Sequence, residues 1–386
     1  MHRNIRLLAL FNFFTDFHLY TAILIIYFAR VTGSYTLAMS LFSVVMVSSA
    51  LFEIPTGIFS DYIGRKRTVM LGAFSSVFAV ICYAIGMNYW ILFTGALFEG
   101  LQRAWYSGNN DALLYETLAQ SGHKDAYSHY LGKVSAMFQM AAAAGIIIGG
   151  ILATRSFALI MWLSVIPQLI CLLLSFFITE PNKRQHHNSN ISMHLVAAAT
   201  NIWSNRSLRL LSINRIVNYA VGESTYHFRA AFVNTLWPLW AVGFSTALSS
   251  IGAAASYWYS GRLITNIGSY RLLLMANLYS KIVNIASVAV ATVFSPIIIA
   301  STSLFFGISE VANSQLMQNE FTHDQRATLA SITSFLGNLA FGAYAVLLGL
   351  LADSFGPTRA LIIAYISYVP TLAINWILYE GHKHSA

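Results

Sequence analysis

Apolar runs of membrane-spanning length recur along the whole chain, separated by short polar connections. They lie near residues 7–29, 36–59, 68–87, 90–115, 131–153 and 157–178, then near 210–236, 239–264, 271–293, 296–320, 328–352 and 358–379. A helix rises about 1.5 Å per residue, so about 20 apolar residues cross a hydrocarbon layer of about 30 Å. The pattern therefore predicts an all-α integral membrane protein with twelve transmembrane helices. The link at Met87–Trp90 is short enough to make its flanking helices antiparallel neighbours. The boundary at Trp237-Pro238 is the hardest to place. A polar stretch from Glu180 to about Arg209, with Lys183, Arg184, His186 and His187, divides the runs into two sets of six.

Composition agrees with the pattern. Of 386 residues, 57% are hydrophobic and 9% charged, against about 25% charged in soluble domains, so a water-facing surface is out of reach. The formal net charge of +8 sits at the ends of the apolar runs, without a basic cluster interleaved with aromatics, and nucleic acid is not an expected partner. If the N-terminus is cytoplasmic, only Arg30, Arg155 and Arg359 fall in outer loops. Arg103, Arg215, Arg229 and Lys281 fall within spans, and every other Lys and Arg falls inside. That bias predicts both termini in the cytoplasm. Cys82 and Cys171 lie within apolar runs and read as small core residues. The first run is too long for a signal-peptide core and lacks a small-residue cleavage site, so it reads as a retained helix. There is no GxxxxGK[ST] phosphate loop, so ATP-driven transport would need a separate subunit. The histidines show no metal-ligand spacing, and no cofactor is expected. A membrane enzyme would need a nucleophile–base pair or a metal cluster at mid-bilayer, and neither is visible. A sensor would need an extramembrane domain to pass on its signal, and no sizeable one is present.

The chain also repeats itself. GIFSDYIG at Gly57–Gly64 is echoed by GRLITNIG at Gly261–Gly268, an offset of 204 that Tyr115-Glu116 and Asn319-Glu320 share. GILATRSF from Gly150 pairs with GLLADSFG from Gly349. This order predicts two pseudo-symmetric six-helix halves, residues 1–180 and 208–386, joined by a cytoplasmic linker at 181–207.

Gly57-Ile-Phe-Ser-Asp61-Tyr-Ile-Gly64-Arg65-Lys66-Arg67 resembles the loop 2–3 signature of the major facilitator superfamily, G-x-L-x-D-x-x-G-R-[KR]-[KR], with Phe59 where leucine is usual. The preceding Glu53-Ile-Pro55-Thr is similar to the E-x-P-T lead-in of many bacterial members. Glu53, Gly57 and Asp61 are spaced to share one helix face, and Gly57 would let a neighbouring helix approach closely. The resemblance implies that Asp61, Arg65 and Arg67 latch the halves during gating; the alternative is that these charges only anchor the loop. In the fifth span, Gly145, Gly149 and Gly150 are similar to the end of the antiporter pattern G-x-x-x-G-P-x-x-G-G, with Ile146 at the proline position. They read equally as a packing seam.

In that family the cavity is lined by spans one, four, seven and ten, and the intramembrane charges cluster there, except Lys281 in span nine, which the family places peripherally. An intramembrane charge costs at least about 2.5–3.5 kcal/mol, so these residues imply a polar cavity. Asn12, Asp16 and Tyr20 form a stripe in span one, with His18 on another face. In span four Glu99 and Arg103 are spaced for an ion pair, and Tyr106, Ser107 and Asn110 continue that face. Span seven carries Arg215, Tyr219, Glu223, His227 and Arg229, and span ten carries Glu310, Asn313 and Ser314. Asp16 is the first candidate for a proton carrier, followed by Glu223 and Glu310; the alternative is a static bridge from Asp16 to Arg215, Arg229 or Lys281. His18 and His227 are relay or packing residues, and Lys281 either pairs with Glu223 or Glu310 or snorkels. The expected function is proton-coupled efflux of a small amphipathic, drug-like compound by a monomer in the plasma membrane. Proton-coupled uptake of a nutrient or metal chelate is the alternative.

Overall fold

The computed structural model describes residues 2–107, 109–120, 122–123, 127–180, 203–320 and 326–385. The described chain is helical, with no strand among the described residues. Eight of its helical stretches are long and apolar enough to cross a membrane: Tyr35–Ile63, Arg65–Ile85, Phe157–Phe177, Leu239–Ile267, Ser269–Ala289, Ser295–Gln318, Leu329–Phe355 and Pro357–Gly381. The expected runs that fall short include one, four and seven. Two of these are interrupted by turns, and all three carry charged side chains.

The first run is α1 (His2–Thr15) and α2 (Leu24–Thr32), separated by a turn and a short 3-10 segment, Thr21–Ile23. Then follow α3 (Tyr35–Ile63), α4 (Arg65–Ile85), α5 (Tyr89–Tyr106), α6 (Asn109–Gln120), α7 (Tyr127–Leu152) and α8 (Phe157–Phe177). Beyond the linker lie α9 (Arg206–Leu236), α10 (Leu239–Ile267), α11 (Ser269–Ala289), α12 (Ser295–Ser301), α13 (Phe306–Glu320), α14 (Arg326–Phe355), α15 (Pro357–Ser367) and α16 (Thr371–Ser385). Residues 181–202 of the expected linker lie outside the described residues.

Helix ends follow local chemistry. Ser34 caps α3 by accepting from the Leu37 N–H at 3.2 Å, and Asn88 Oδ1 caps α5 by accepting from Trp90 N and Ile91 N. Gly64 ends α3 with φ 93°, a region that favours glycine. Pro238 precedes α10, and α9 stops at Leu236, which settles the Trp237-Pro238 boundary. Interruption is the main departure from the expected pattern. The fourth run breaks between Tyr106 and Asn109, the tenth tightens to a 3-10 turn at Thr302–Phe305, and the twelfth breaks at Tyr368–Pro370.

Contacts group the chain into two compact units, Met1–His187 with Leu239–Phe244, and Asn188–Pro238 with Ser245–Ala386. The first has a core where Ile5, Leu8 and Phe11 of α1 meet Val69, Leu113, Leu114, Cys171 and Ile178. The second has one where Leu208 and Leu211 meet Leu273, Leu316, Leu329 and Leu378. Both cysteines are buried and free. In a membrane, close packing rather than water exclusion joins helices, so small residues mark the seams. A Cβ on Gly100 would lie 1.9 Å from Ser48 Oγ and 2.6 Å from the Val45 carbonyl oxygen, which locks α5 against α3. By contrast, a Cβ on Gly57 would meet open space. The helix approach expected at Gly57 is not made among the described residues.

Gly100→Ala should therefore lower the thermal unfolding temperature in detergent by several degrees, an overpacking cost of about 1–3 kcal/mol. Gly57→Ala should leave it unchanged. Tryptophan-fluorescence melts of the two variants check this.

Candidate functional site

The charged end of α3 forms a connected cluster with α4 and α6. Twenty-nine residues of α3 exceed the length needed to span the hydrocarbon, so its last turns reach the polar surface. There Arg65 lies 3.5 Å from Asp61 and 3.4 Å from Glu116, and donates to Ser60 Oγ at 3.0 Å. Ser60 donates to Asn109 Oδ1, and Asn109 Nδ2 returns to the Arg65 carbonyl. The Glu180 carboxylate accepts from the N–H groups of Arg65 and Lys66, both at 2.7 Å. An anion on a helix N-terminus satisfies donors that would otherwise lack partners. Gly64 makes this possible, since a Cβ there would sit 2.6 Å from Glu180 Oε1. Glu53 stands apart from this cluster, accepting from Ser107 Oγ at 2.9 Å.

Deeper in the same unit, the first span is not one helix. The stripe expected of Asn12, Asp16 and Tyr20 fails because α1 ends at Thr15 and Asp16–Tyr20 form a turn. A turn at membrane depth exposes backbone groups that lipid cannot satisfy. Helix α8 supplies the partners. Gln168 Nε2 donates to the Phe14 and Thr15 carbonyls at 3.2 and 3.3 Å, and Ser76 Oγ holds the same amide by donating to its oxygen at 2.8 Å. Ser164 Oγ accepts from the Leu19 N–H at 3.3 Å. Room for the turn comes from α7. A Cβ on Gly145 would lie 2.8 Å from the His18 carbonyl oxygen, and one on Gly149 would lie 1.6 Å from that of Leu19. Gly150 turns to a different neighbour, where a Cβ would lie 3.2 Å from the Trp240 carbonyl oxygen. Of the two readings open for these glycines, the packing seam has direct geometric support.

The turn brings the candidates of spans one and four together. Arg103 and Glu99 form the ion pair read from their spacing, Nη2 to Oε1 at 2.9 Å, and Tyr83 donates to the other Glu99 oxygen at 2.8 Å. The Tyr20 ring packs edge-on to Tyr83, and His18 packs on Tyr20 at 5.0 Å. The charges of Glu99 and Arg103 act on both His18 and Tyr20, and that of Arg103 acts on Asp16. Asp16 is partly buried, with no ion-pair partner among the described residues. His18 Nδ1 and Asn110 Oδ1 are buried and unpartnered. Tyr106 seats over Gly72, where a Cβ would clash with its ring, and packs edge-on to Phe11. Because α5 stops at Tyr106, Asn110 belongs to α6 and does not continue the Glu99–Arg103 face. Asn12 donates back to the Leu8 carbonyl within α1.

In the second unit, the charges of Arg215, Glu223 and Glu310 all reach the Tyr257 phenol, so α9, α10 and α13 share one polar locus. A Cβ on Gly307 would lie 2.6 Å from the Tyr257 N, which fixes α10 against α13. The Tyr219 hydroxyl donates to Asn338 Oδ1 at 3.0 Å. His227 packs against Phe341 at 6.0 Å. Asn313 Oδ1 is buried without a partner. Lys281 follows neither expected course. It is 1% exposed, so it does not snorkel, and it pairs with neither Glu223 nor Glu310 but donates to Asn277 Oδ1 at 3.0 Å. Sequence reasoning missed Tyr83, Gln168, Glu180 and Tyr257. Tyr257 had a signal, since it lies 204 residues after Glu53.

Eight helices long and apolar enough to cross a membrane, with charged side chains gathered beside the helix interruptions, define a polytopic membrane protein. The chain belongs to the Major Facilitator Superfamily, whose family model matches residues 6–345. An uncharacterized MFS-type transporter of Methanocaldococcus jannaschii is 22% identical over 360 residues, 89% of this chain and 91% of that protein. Two other similarities are partial. An uncharacterized transporter of Buchnera aphidicola is 23% identical over 161 residues, 42% of this chain and 40% of that protein. The class E tetracycline resistance protein of Escherichia coli is 25% identical over 162 residues, 42% of this chain and 37% of that one. The crystal structure of the nucleoside transporter NupG is similar in fold, with a TM-score of 0.82 at 12% identity, covering 97% of this chain and 99% of that one.

Gln168→Leu would leave the Phe14 and Thr15 carbonyls unpaired, at about 1–3 kcal/mol for each unsatisfied group. The variant should melt several degrees lower than the parent, while Gln168→Glu, which keeps an oxygen but loses the donor, should not rescue it. Thermal melts of purified protein in detergent measure both.

Proposed function

We propose that this chain is a secondary active transporter that couples proton movement to solute movement by alternating access, and that Asp16 carries the proton. The observation that carries the reading is the placement of Asp16. Its carboxylate sits at the interruption of the first span, beside the Glu99–Arg103 pair and without an ion-pair partner of its own among the described residues. A carboxylate already held in a static bridge is a poor carrier, whereas one with access to both wet and dry settings can load and release a proton. Each proton crossing about 100 mV supplies about 2.3 kcal/mol, enough for a solute gradient near fifty-fold at about 1.4 kcal/mol per decade. Glu223 and Glu310, gathered at Tyr257, are the second candidates.

The reading places twelve spans in two six-helix halves with both termini in the cytoplasm of a plasma-membrane protein acting as a monomer. Efflux of an amphipathic compound is the favoured direction, supported by the partial similarity to a tetracycline resistance protein. Uptake by symport stands beside it, because the packing of Gly145 and Gly149 against His18 and Leu19 accounts for the fifth-span glycines without an antiport role. The cluster of Asp61, Arg65, Glu116 and Glu180 is the gating element.

Reconstituted into proteoliposomes with an internal pH dye, the protein should move protons when a transported compound is added. The direction of that flux separates antiport from symport. Asp16→Asn should abolish uphill transport while leaving counterflow exchange intact. Unchanged, pH-dependent uphill transport in that variant would remove Asp16 as the carrier. Asp61 is half-exposed and Arg65 partly so, so their pair is worth about 1 kcal/mol or less. Asp61→Asn should accordingly slow turnover by about three- to five-fold, with substrate affinity unchanged.

A further inference from the structure

Within the second unit, α15 packs against both α9 and α11, and its last residues carry the most unusual electrostatic arrangement in that unit. Lys281 of α11 is 1% exposed. Its ammonium donates to Asn277 Oδ1 at 3.0 Å and stands 4.4 Å from the centre of the Tyr368 ring. Arg229 of α9 is near enough for its charge to act on the same phenol, and Asn284 hydrogen-bonds that phenol. The ring of Tyr365 lies 6.5 Å from that of Tyr368. Two cations thus flank one tyrosine, and neither has a carboxylate within ion-pair distance among the described residues. The nearest acid along α9, Glu223, acts on the Tyr257 phenol and, together with Arg229, on that of Tyr226.

Arg229 Nε and the Tyr365 hydroxyl are buried without hydrogen-bond partners, as is Asn284 Oδ1, and Tyr365 is 0% exposed. The Lys281 ammonium has three protons, of which one reaches Asn277. An arginine does not shed its charge in a protein, so the locus cannot be neutralised by proton loss alone. Membrane-buried cations are retained where they meet a counter-charge or serve a pathway. What the two cations lack among the described residues is a counter-charge.

We propose that Lys281, Arg229, Tyr365 and Tyr368 form a binding site for an anionic group, a carboxylate or a phosphate, carried by the transported solute. The proposal deepens the transporter reading and rests on it for the identity of the anion's source. Depth favours a solute over a lipid headgroup. Lys281 is the thirteenth residue of a 21-residue helix, about 18 Å from one end and 12 Å from the other at 1.5 Å per residue, out of reach of headgroups on either side. The Tyr368 ring supplies an apolar face beside the charges, which suits an anionic group on an aromatic or aliphatic body. The cargo class is then an amphipathic acid rather than a lipophilic cation.

The test is binding, without a gradient, on the purified full chain in a neutral detergent. Benzoate and inorganic phosphate are titrated against benzamide, the neutral match to benzoate, with thermal unfolding as the readout. A saturable rise in unfolding temperature with benzoate or phosphate, absent with benzamide, is expected. Lys281→Met and Arg229→Gln should each weaken that response at least ten-fold. Without probe, Lys281→Met should be no less stable than the parent, because it removes a buried charge without a counter-ion; a merely structural lysine would make the variant melt lower. Lys281→Arg should keep much of the response. If neither anion stabilises more than benzamide, or if the response survives both charge-removing substitutions, the proposal falls. Repeating the titration in nanodiscs separates the sources. A Lys281-dependent stabilisation by phosphatidylglycerol that replaces the benzoate response assigns the anion to lipid and overturns the cargo assignment. Since the assay needs no proton flux, its failure leaves the coupling role of Asp16 standing, and loss of coupling in Asp16→Asn leaves this site standing.

Discussion

A backbone carbonyl or amide in hydrocarbon has no water to bond, so every interruption of a spanning helix must be satisfied by side chains from its neighbours. The first unit is organised around one such debt, the turn at Asp16–Tyr20. Gln168 takes the carbonyls of Phe14 and Thr15, Ser164 takes the Leu19 N–H, and Ser76 holds Gln168 in place. Gly145 and Gly149 leave the space that the turn fills. These contacts fix the relation of α1, α4, α7 and α8 to one another. They also decide where Asp16, His18 and Tyr20 point, and thus which residues share the field of Glu99 and Arg103. The candidate chemistry is a consequence of the break.

The second unit meets the same constraint at other places. Its tenth run tightens to a 3-10 turn at Thr302–Phe305, where Gly252 of α10 accommodates Ser303 and Gly307 of α13 accommodates Tyr257. Its twelfth run breaks at Tyr368–Pro370, beside Lys281. The repeat in the sequence is therefore not a repeat of devices. The motif echo at Gly57–Gly64 and Gly261–Gly268 preserves helix ends, since both segments stop at a glycine with φ near 90°. It does not preserve the acidic and basic side chains that hang on the first copy.

Span positions were legible because apolar length is a cumulative signal that single residues cannot erase. The breaks were not. Asp16-Phe-His-Leu-Tyr20 contains neither glycine nor proline, and its helical periodicity continues unbroken through the turn. What disrupts the helix is tertiary, the carbonyl-seeking Gln168 and the clearance above Gly149. At Tyr368–Pro370 the proline was a signal, because it cannot continue the hydrogen-bond ladder. Charged candidates were readable since an intramembrane charge is costly enough to need a reason. Tyr83, Gln168 and Tyr257 carry no formal charge and raise no such alarm. Gln168 did leave a trace, lying four residues after Ser164 and three before Cys171 on one face of α8, and all three meet the first span.

The distribution of paired and unpaired charge separates a scaffold from a machine. Arg65 is held by Asp61 and Glu116, and Arg103 by Glu99, as stable packing requires. Asp16, Arg229 and Lys281 lack ion pairs among the described residues, although each lies inside an apolar run where its charge costs most. Selection for stability alone would replace such groups with apolar ones of similar volume, often at no loss. Their retention is explained if their partners are transient, a proton for the carboxylate and an anion for the cations. A transporter needs groups whose interactions change between states, because a ligand shifts an equilibrium only through differential contacts. A permanent bridge at those positions would stabilise one state and remove the difference on which the cycle runs.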